Sequence, residues 1–377
     1  MRKFLSLALL IFLGGKGYAQ YPGLSLPPSG DNQKASVTQF IGPVKVTIDY
    51  SSPKVHGPDG KDRRGKIWGQ LVPYGMANLG FGNGKPSPWR AGANENTVFT
   101  VSHPVRIEDK PLPAGSYGFH IIPQKDQWTL VFSKNSTSWG SFFYEPSEDA
   151  LRVTVKPRAH EYREWLTYEF TERKPDRATA ELQWEDLAVA WSISVDKIED
   201  LYISKLQHDL RTVPGFNFQG FLNAAQYTLS INSHFDEGLE WAEAAISRPF
   251  VGVPNFATLS MKAQLLAKLD RTDEAKQIMK TALAHPTATP IQLHGYARQL
   301  MAAGKVDEAC EVYELNYKKH GDVWPVHVGL TRMYSAKGDL AKALEHAKIA
   351  LPQAPDPLNK GSLEAMIKQL SAGQKVN

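Results

Sequence analysis

The chain has 377 residues, of which 42% are hydrophobic and 22% are charged. This composition excludes a disordered chain, and the length predicts two or three domains. Cys310 is the one cysteine, which excludes an intramolecular disulfide framework and a zinc site built from cysteines. The formal net charge is only +4, with acids and bases balanced along the chain, so no nucleic-acid partner is expected.

The first residues have the pattern of a signal peptide. Two basic residues precede an apolar run at residues 4–13, which is shorter than the roughly 20 residues of a membrane-spanning helix. Gly17 and Ala19 fit the small positions of a cleavage site before Gln20. We therefore expect a signal peptide at residues 1–19 and export to the periplasm or medium, with no membrane span after cleavage. The alternative is an uncleaved anchor.

A Pro- and Gly-rich segment at residues 20–35 precedes a region of strand patterns. Apolar and polar side chains alternate at residues 44–50, which predicts a half-buried strand. Similar short runs follow at residues 97–101, 117–122, 128–132, 151–155, 165–170, 179–184 and 187–195. Glu185 and Asp186 separate the last two runs and predict a hairpin. Without a long helical period among them, these strands predict an antiparallel β-sandwich over residues 36–196.

The C-terminal half has a repeat of 34 residues. Gly304 and Gly338 are separated by this spacing, and so are Ala275, Ala309 and Ala343. A turn glycine, a small residue five positions later and a closing proline are typical of tetratricopeptide helix hairpins. We predict a connecting helix at residues 197–215, three or four hairpins at residues 216–358, and a cap helix and tail at residues 359–377.

Sequence motifs give little support for catalysis. Residues 60–67 follow a phosphate-binding loop until Ile67 replaces the required Ser or Thr, and the neighbouring patterns are strands. Ser51 and Lys54 flank Pro53, which prevents the helical turn that a serine–lysine pair needs. The histidines have no metal-ligand spacing on a single element. We predict neither a cofactor nor a metal.

The strongest candidate for a binding loop is residues 89–96. It places an arginine, a carboxylate and amides beside glycines, and such loops on a rigid sheet often carry binding groups. The arginine would clamp a carboxylate or a sugar hydroxyl, and nearby aromatic rings would offer stacking faces. In the alternative, Arg90 and Glu95 pair to support the loop, and the aromatic rings fill the core. The candidate ligand-binding residues are Arg90, Asn94, Glu95, Trp68, Tyr74, His56 and His120.

Several motifs resemble the exported bacterial family named domain of unknown function twenty-nine eleven (DUF2911). They are YSSPKV at residues 50–55, GKIWGQLVPYG at 65–75, WRAGANE at 89–95 and LPAGSY at 112–117. The resemblance runs over residues 36–195, and the tail resembles a helical-repeat extension of some members. It implies export, a cell of the Bacteroidota type and a β-rich domain, but supplies no catalytic residues. Insertions at residues 56–63 and 77–88 depart from the family pattern; if the shared loops form a pocket, these insertions would cover it.

The sequence therefore predicts an exported, non-enzymatic interaction or ligand-binding protein. The helical repeats would bind a protein or peptide partner, and the sandwich would have an uncharacterised role with a small ligand as a second partner. The alternative is a hydrolase or carbohydrate-binding sandwich that uses residues 89–96.

Overall fold

In a computed structural model, which describes residues 29–80 and 82–376, the chain divides between Ile198 and Glu199 into a strand-rich unit and a helical unit. The predicted signal peptide and most of the segment that follows it lie outside the described residues. Among the described helices, none is long and apolar enough to cross a membrane.

The N-terminal unit consists of antiparallel strands in two sheets. One sheet has the order β1-β2-β3-β6-β7-β8, and the other has the order β5-β4-β10-β9. The strands are β1 (Gln33–Ile41), β2 (Val44–Ser52), β3 (Thr97–Val101), β4 (Val105–Ile107), β5 (Lys110–Leu112), β6 (Gly115–Ile122), β7 (Trp128–Ser133), β8 (Asp149–Val155), β9 (Pro157–Lys174) and β10 (Arg177–Ser194).

The two sheets pack face to face through aromatic side chains. The ring of Phe119 on β6 lies 5.2 Å from that of Trp191 on β10 and 6.3 Å from that of Tyr168 on β9, measured between centroids. On β2, the apolar side chains of the alternating pattern are buried and the intervening side chains are more exposed. The predicted antiparallel sandwich is confirmed.

The hairpin predicted at Glu185 and Asp186 is wrong. Strand β10 continues through both residues, and the chain reverses between β9 and β10 instead. Glu185 has a φ of 56°, and the register with β9 shifts around it, so this position is a β-bulge. A bulge adds one residue to a strand and interrupts the alternation of faces, which in a sequence resembles a turn.

The helical unit begins with α1 and continues as four helix hairpins and a final helix. Helices α2 and α3, α4 and α5, α6 and α7, and α8 and α9 form the hairpins, and α10 follows them. The helices are α1 (Ile198–Asp209), α2 (Phe218–Ser230), α3 (Phe235–Ser247), α4 (Phe256–Lys268), α5 (Thr272–Ala284), α6 (Pro290–Ala302), α7 (Val306–His320), α8 (Trp324–Lys337), α9 (Leu340–Ala350) and α10 (Pro357–Ser371).

The residues of the 34-residue repeat occupy equivalent places in successive hairpins. Ala275, Ala309 and Ala343 lie in the first turns of α5, α7 and α9, and all three are buried. Gly304 and Gly338 follow α6 and α8 with φ values of 76° and 85°, where a left-handed residue reverses the chain. The predicted tetratricopeptide-like array is confirmed. Cys310 lies beside Ala309 in α7 and is 5% exposed.

Gly238 on α3 provides a test of close helix packing. A methyl group there would lie 2.2 Å from Oγ1 of Thr228 on α2 and 2.9 Å from Cδ2 of Leu265 on α4. We expect Gly238→Ala to lower the free energy of unfolding of the helical unit by about 1–3 kcal/mol, because the added methyl overpacks the crossing. Urea denaturation followed by circular dichroism measures the change.

The matched control is Gly295→Ala on α6, where no heavy atom outside the helix lies within 4 Å of the added methyl. This variant should be more stable by about 0.5–1 kcal/mol, because alanine favours the helix over glycine. If Gly238→Ala stabilised the protein as Gly295→Ala does, the crossing would not be tightly packed.

Candidate functional site

The predicted binding loop belongs to the long connection between β2 and β3, and β6 fixes its position. Trp89 and Ile121 exchange two backbone hydrogen bonds, with N···O distances of 2.9 and 2.8 Å. The indole Nε1 of Trp89 also donates to the carbonyl oxygen of Gly92 at 3.1 Å. These bonds attach residues 89–92 to the sheet, so the side chains that follow are held by the sandwich.

Trp68 and Trp89 join an aromatic cluster in the sandwich. The ring of Trp68 lies 4.8 Å from that of Trp128 and 5.7 Å from those of Trp89 and Trp184. Trp128 and Trp184 are almost completely buried. Edge-to-face and tilted ring pairs of this kind stabilise a core beyond the area they bury. Trp68 therefore contributes to the packing beneath the loop.

The guanidinium of Arg90 is held on several sides. Its Nη1 donates to the carbonyl oxygen of Asn94 at 2.5 Å, and its Cζ lies 4.5 Å above the ring of Phe142. At Gly140, a Cβ would come within 2.5 Å of Nη1, so this close approach requires glycine. Burial lowers the pKa of Arg90. The contacts fix the orientation of a cation that is largely withdrawn from water.

Arg90 and Asn94 line a cleft of about 380 Å³ in the sandwich unit. Trp89, Trp184 and Leu71 give it apolar walls, and Arg63 contributes a second cation. No Asp or Glu is present among the described residues that line it. Two guanidinium groups beside apolar walls suit a small ligand that carries a carboxylate or several hydroxyl groups.

Glu95 lies in a neighbouring cleft of about 360 Å³ rather than in the cleft of Arg90. Its Oε1 is 2.8 Å from Nζ of Lys34, and the hydroxyl of Ser51 donates to its Oε2 at 3.1 Å. The hydrogen bond with Lys34 lowers the pKa of Glu95. Asn94, which precedes Glu95, has a left-handed backbone with a φ of 57°. The side chains of Arg90 and Glu95 line different clefts. The ion pair of Glu95 is thus with Lys34, whereas the sequence suggested Arg90.

His56 and Tyr74 lie outside the cleft of Arg90. The backbone N–H of His56 donates to Oε1 of Glu164 at 3.0 Å, and its ring Nδ1 is 2.9 Å from Oε2 of the same carboxylate. Tyr74 is 42% exposed and lines a separate depression with Gln124 and Asp126. The structure therefore distributes the candidate residues over several surfaces.

His120 is a core residue on β6. It is 2% exposed, its ring packs 5.6 Å from that of Tyr144, and its Nδ1 has no hydrogen-bond partner within the described residues. Burial, and next the positive charge of Arg90, lower the pKa of His120 to about 4. The imidazole is therefore neutral at physiological pH.

Metal binding receives no support from the described part of the chain, where no group of three or more His, Cys, Asp or Glu side chains is placed to hold an ion.

A further cavity lies in the helical unit and was not predicted from the sequence. It has a volume of about 660 Å³, and its lining includes Arg298, Tyr313 and Arg332. The sequence does contain a signal for it: Arg298 and Arg332 are 34 residues apart and therefore occupy equivalent positions in α6 and α8. Repeats place such residues in a row along the array.

The fold defines a β-sandwich domain followed by a tetratricopeptide-like array. Residues 32–193 match the family described as "Protein of unknown function (DUF2911)". This match covers the region in which the sequence motifs predicted the resemblance, ahead of the helical repeats. A search of curated proteins found no match.

Several solved structures are similar to part of the chain. A tetratricopeptide repeat protein from Parabacteroides merdae has 13% identity and a TM-score of 0.31, over 41% of this chain and 60% of that one. MamA has 18% identity and a TM-score of 0.29, over 43% and 88%. YrrB, described as a TPR protein with an unusual peptide-binding site, has 16% identity and a TM-score of 0.29, over 45% and 89%.

The buried, neutral His120 predicts a pH dependence of the sandwich unit. Its pKa of about 4 lies below the ordinary value of 6.5. Between pH 6.5 and pH 4, this histidine therefore binds a proton in the unfolded chain but not in the folded chain. The contribution of the neutral His120 to the free energy of unfolding is fully present above pH 6.5 and is lost as the pH falls toward 4. We expect His120 to account for a loss of about 2 kcal/mol between pH 7 and pH 5.

Urea denaturation followed by tryptophan fluorescence measures this loss, since seven of the nine tryptophans belong to the sandwich. His120→Gln should reduce the pH dependence, whereas His103→Gln, on the loop between β3 and β4, should leave it unchanged. An unaltered pH dependence in His120→Gln would show that this histidine is not the group responsible.

Proposed function

We propose that this protein is an exported, non-enzymatic interaction protein whose helical array binds a protein or peptide partner. The observation that carries the proposal is the run of four helix hairpins in which the first helices meet, α2 with α4 and α6 with α8. Stacked hairpins of this kind form an extended surface suited to an extended peptide or a helix of a partner. The signal-peptide pattern at residues 1–19 supports export to the periplasm or medium.

The side chains on this surface have the mixed character of a binding face. Gln264 and Arg298 are exposed at equivalent positions of α4 and α6, and Arg332 occupies the next equivalent position on α8. Ile291 lies seven residues before Arg298, on the same side of α6, and is 64% exposed. We call these four residues the first-helix face. Polar and cationic groups beside an exposed aliphatic side chain favour a partner with both apolar and acidic or polar groups.

Two substitutions on the first-helix face test the proposal. The double variant Gln264→Glu and Ile291→Asp changes the charge and polarity of the face at exposed positions, so the fold should be retained. Full-length protein is used as bait in an extract of the exported fraction, and captured proteins are quantified by mass spectrometry. We expect the variant to capture at least tenfold less of a partner than the native chain does. A tenfold loss of affinity corresponds to about 1.4 kcal/mol of binding free energy.

The control is the double variant Lys276→Gln and Lys280→Gln, at exposed positions of α5, a second helix of its hairpin. It makes a similar change in charge on a different surface and should retain the partner. Equal capture by both variants would contradict binding through the first-helix face.

A second candidate function is small-ligand binding in the sandwich, favoured by the cleft in which Arg63 and Arg90 face apolar walls. Hydrolysis receives less support, because Glu95 lies in the neighbouring cleft and His120 is buried. An acid–base mechanism needs such groups within hydrogen-bond reach of one substrate. We therefore propose that the sandwich cleft binds a small ligand without catalysing its reaction.

Arg90→Gln tests the sandwich cleft with glucuronate as a probe that carries both a carboxylate and hydroxyl groups, and with glucose as the neutral comparison. In isothermal titration calorimetry we expect the native chain to bind glucuronate in preference to glucose, and Arg90→Gln to weaken that binding about tenfold or more, because a charge-assisted hydrogen bond is lost. If the variant unfolded more easily but bound glucuronate as the native chain does, Arg90 would have an architectural role only.

A further inference from the structure

Three cationic side chains are among the residues that line the cavity in the helical unit. Arg298 extends from α6, Arg332 from α8 and Lys375 from the segment after α10. Within the described residues, its lining contains no Asp or Glu. Lys337, which is close in sequence to this region, forms an ion pair with Glu314 at 3.0 Å instead. The cavity therefore gathers cations without an internal counter-charge.

Two polar groups at this cavity are buried without a partner. Tyr313 is 1% exposed, and its hydroxyl forms no hydrogen bond within the described part of the chain. The Nε of Arg332 is also buried and unpartnered there. Buried donors in native proteins are almost always satisfied, by protein, by water or by a bound group. An unsatisfied hydroxyl and an unsatisfied guanidinium nitrogen at one cavity thus point to an occupant that accepts hydrogen bonds.

The electrostatics favour an anionic occupant. Burial, and next the positive charge of Arg298, lower the pKa of Arg332. Burial raises the pKa of Tyr313 to about 12, so its phenol remains a donor at neutral pH. Burial and the charges of Arg332 and Arg298 lower the pKa of the neighbouring His294 to about 4, so that ring stays neutral. A negative charge in the cavity would offset the repulsion between the two guanidinium groups.

We propose that this cavity binds an oxyanion, either a carboxylate or a phosphate group, through Arg298, Arg332 and the hydroxyl of Tyr313. Guanidinium groups match the paired oxygens of both anions, and a phenol adds a third donor. Lys375 lies at the cavity with its Nζ 3.5 Å from the carbonyl oxygen of Ala336, a long contact that leaves it free to approach an anion. The inference goes beyond the proposed function, because the anion binds whether it is free or part of a polypeptide.

Calorimetry of the full chain tests the site with sodium phosphate and sodium succinate, at an ionic strength held constant with sodium chloride. We expect saturable binding of at least one of these anions. Arg332→Gln should weaken it about tenfold or more, and Tyr313→Phe should weaken it several-fold, because each removes a hydrogen bond to a charged group. Lys280→Gln, which removes an exposed charge on α5, is the matched control and should bind as the native chain does.

Tyr313→Phe keeps the ring in place and removes only the unpartnered hydroxyl, so the folded variant should be at least as stable as the native chain. This variant keeps the test valid if Arg332→Gln fails to fold. Circular dichroism of each variant without ligand establishes that it is folded. The proposal is overturned if neither anion binds, or if folded Arg332→Gln and Tyr313→Phe bind as the native chain does; the cavity then holds water only.

A tripeptide with a free C-terminal carboxylate, compared with its amide, distinguishes the source of the anion. Tighter binding of the free acid than of both the amide and phosphate supports a polypeptide carboxylate as the ligand. Equal binding of phosphate and the free acid supports a free oxyanion. Arg298 and Arg332 of the first-helix face line the cavity, whereas Gln264 and Ile291 do not. If the native chain bound no anion but still captured a partner through Gln264 and Ile291, this inference alone would be overturned.

Discussion

The helical unit depends on how closely two helices can approach at a small side chain. A helix of a hairpin cannot cover its own apolar face, so it must pack against its neighbours, and the distance between their axes is set by the residue at the crossing. Ala275, Ala309 and Ala343 fill these places in three successive hairpins. Because the repeat is 34 residues long, residues that are 34 apart at any other position also point in equivalent directions on successive hairpins. A row of side chains such as Gln264, Arg298 and Arg332 is therefore a geometric consequence of the packing.

The sandwich has a different source of cohesion, because its two sheets are joined by large rings. Phe119, Tyr168 and Trp191 meet between the sheets, and a second group around Trp68 continues the packing beneath the connection that follows β2. Aromatic rings bury large areas with few rotatable bonds. The rings around Trp68 also hold the irregular connection between β2 and β3 against the sandwich. Arg90 and Glu95 on this connection line two adjacent clefts.

Much of the fold could be predicted from the sequence because its signals are local and periodic. The alternation in β2 and the repeat in α5, α7 and α9 are visible within a few residues. Strand β1 lacked such a signal, since it is an edge strand with mostly polar, exposed side chains. The error at Glu185 has a similar cause, because a bulge interrupts the alternation as a turn does.

The sites were less accessible to prediction because they depend on contacts between distant parts of the chain. Arg90 takes its position from Gly140 and Phe142, some fifty residues later in the sequence. A carboxylate five residues away was the more obvious partner for it by sequence alone. The paired arginines of the helical cavity could have been found from their spacing, but their place at one cavity with the buried Tyr313 is evident only in the folded chain.

The buried cysteine has a practical consequence for labelling. Cys310 is the one thiol of the chain, and burial raises its pKa, so little of the reactive thiolate is present at neutral pH. A cysteine introduced at an exposed position such as Gln264 would therefore react in preference to the native one. Fluorophores or spin labels can be attached at a single chosen place without first replacing Cys310, and the packing beside Ala309 is left intact.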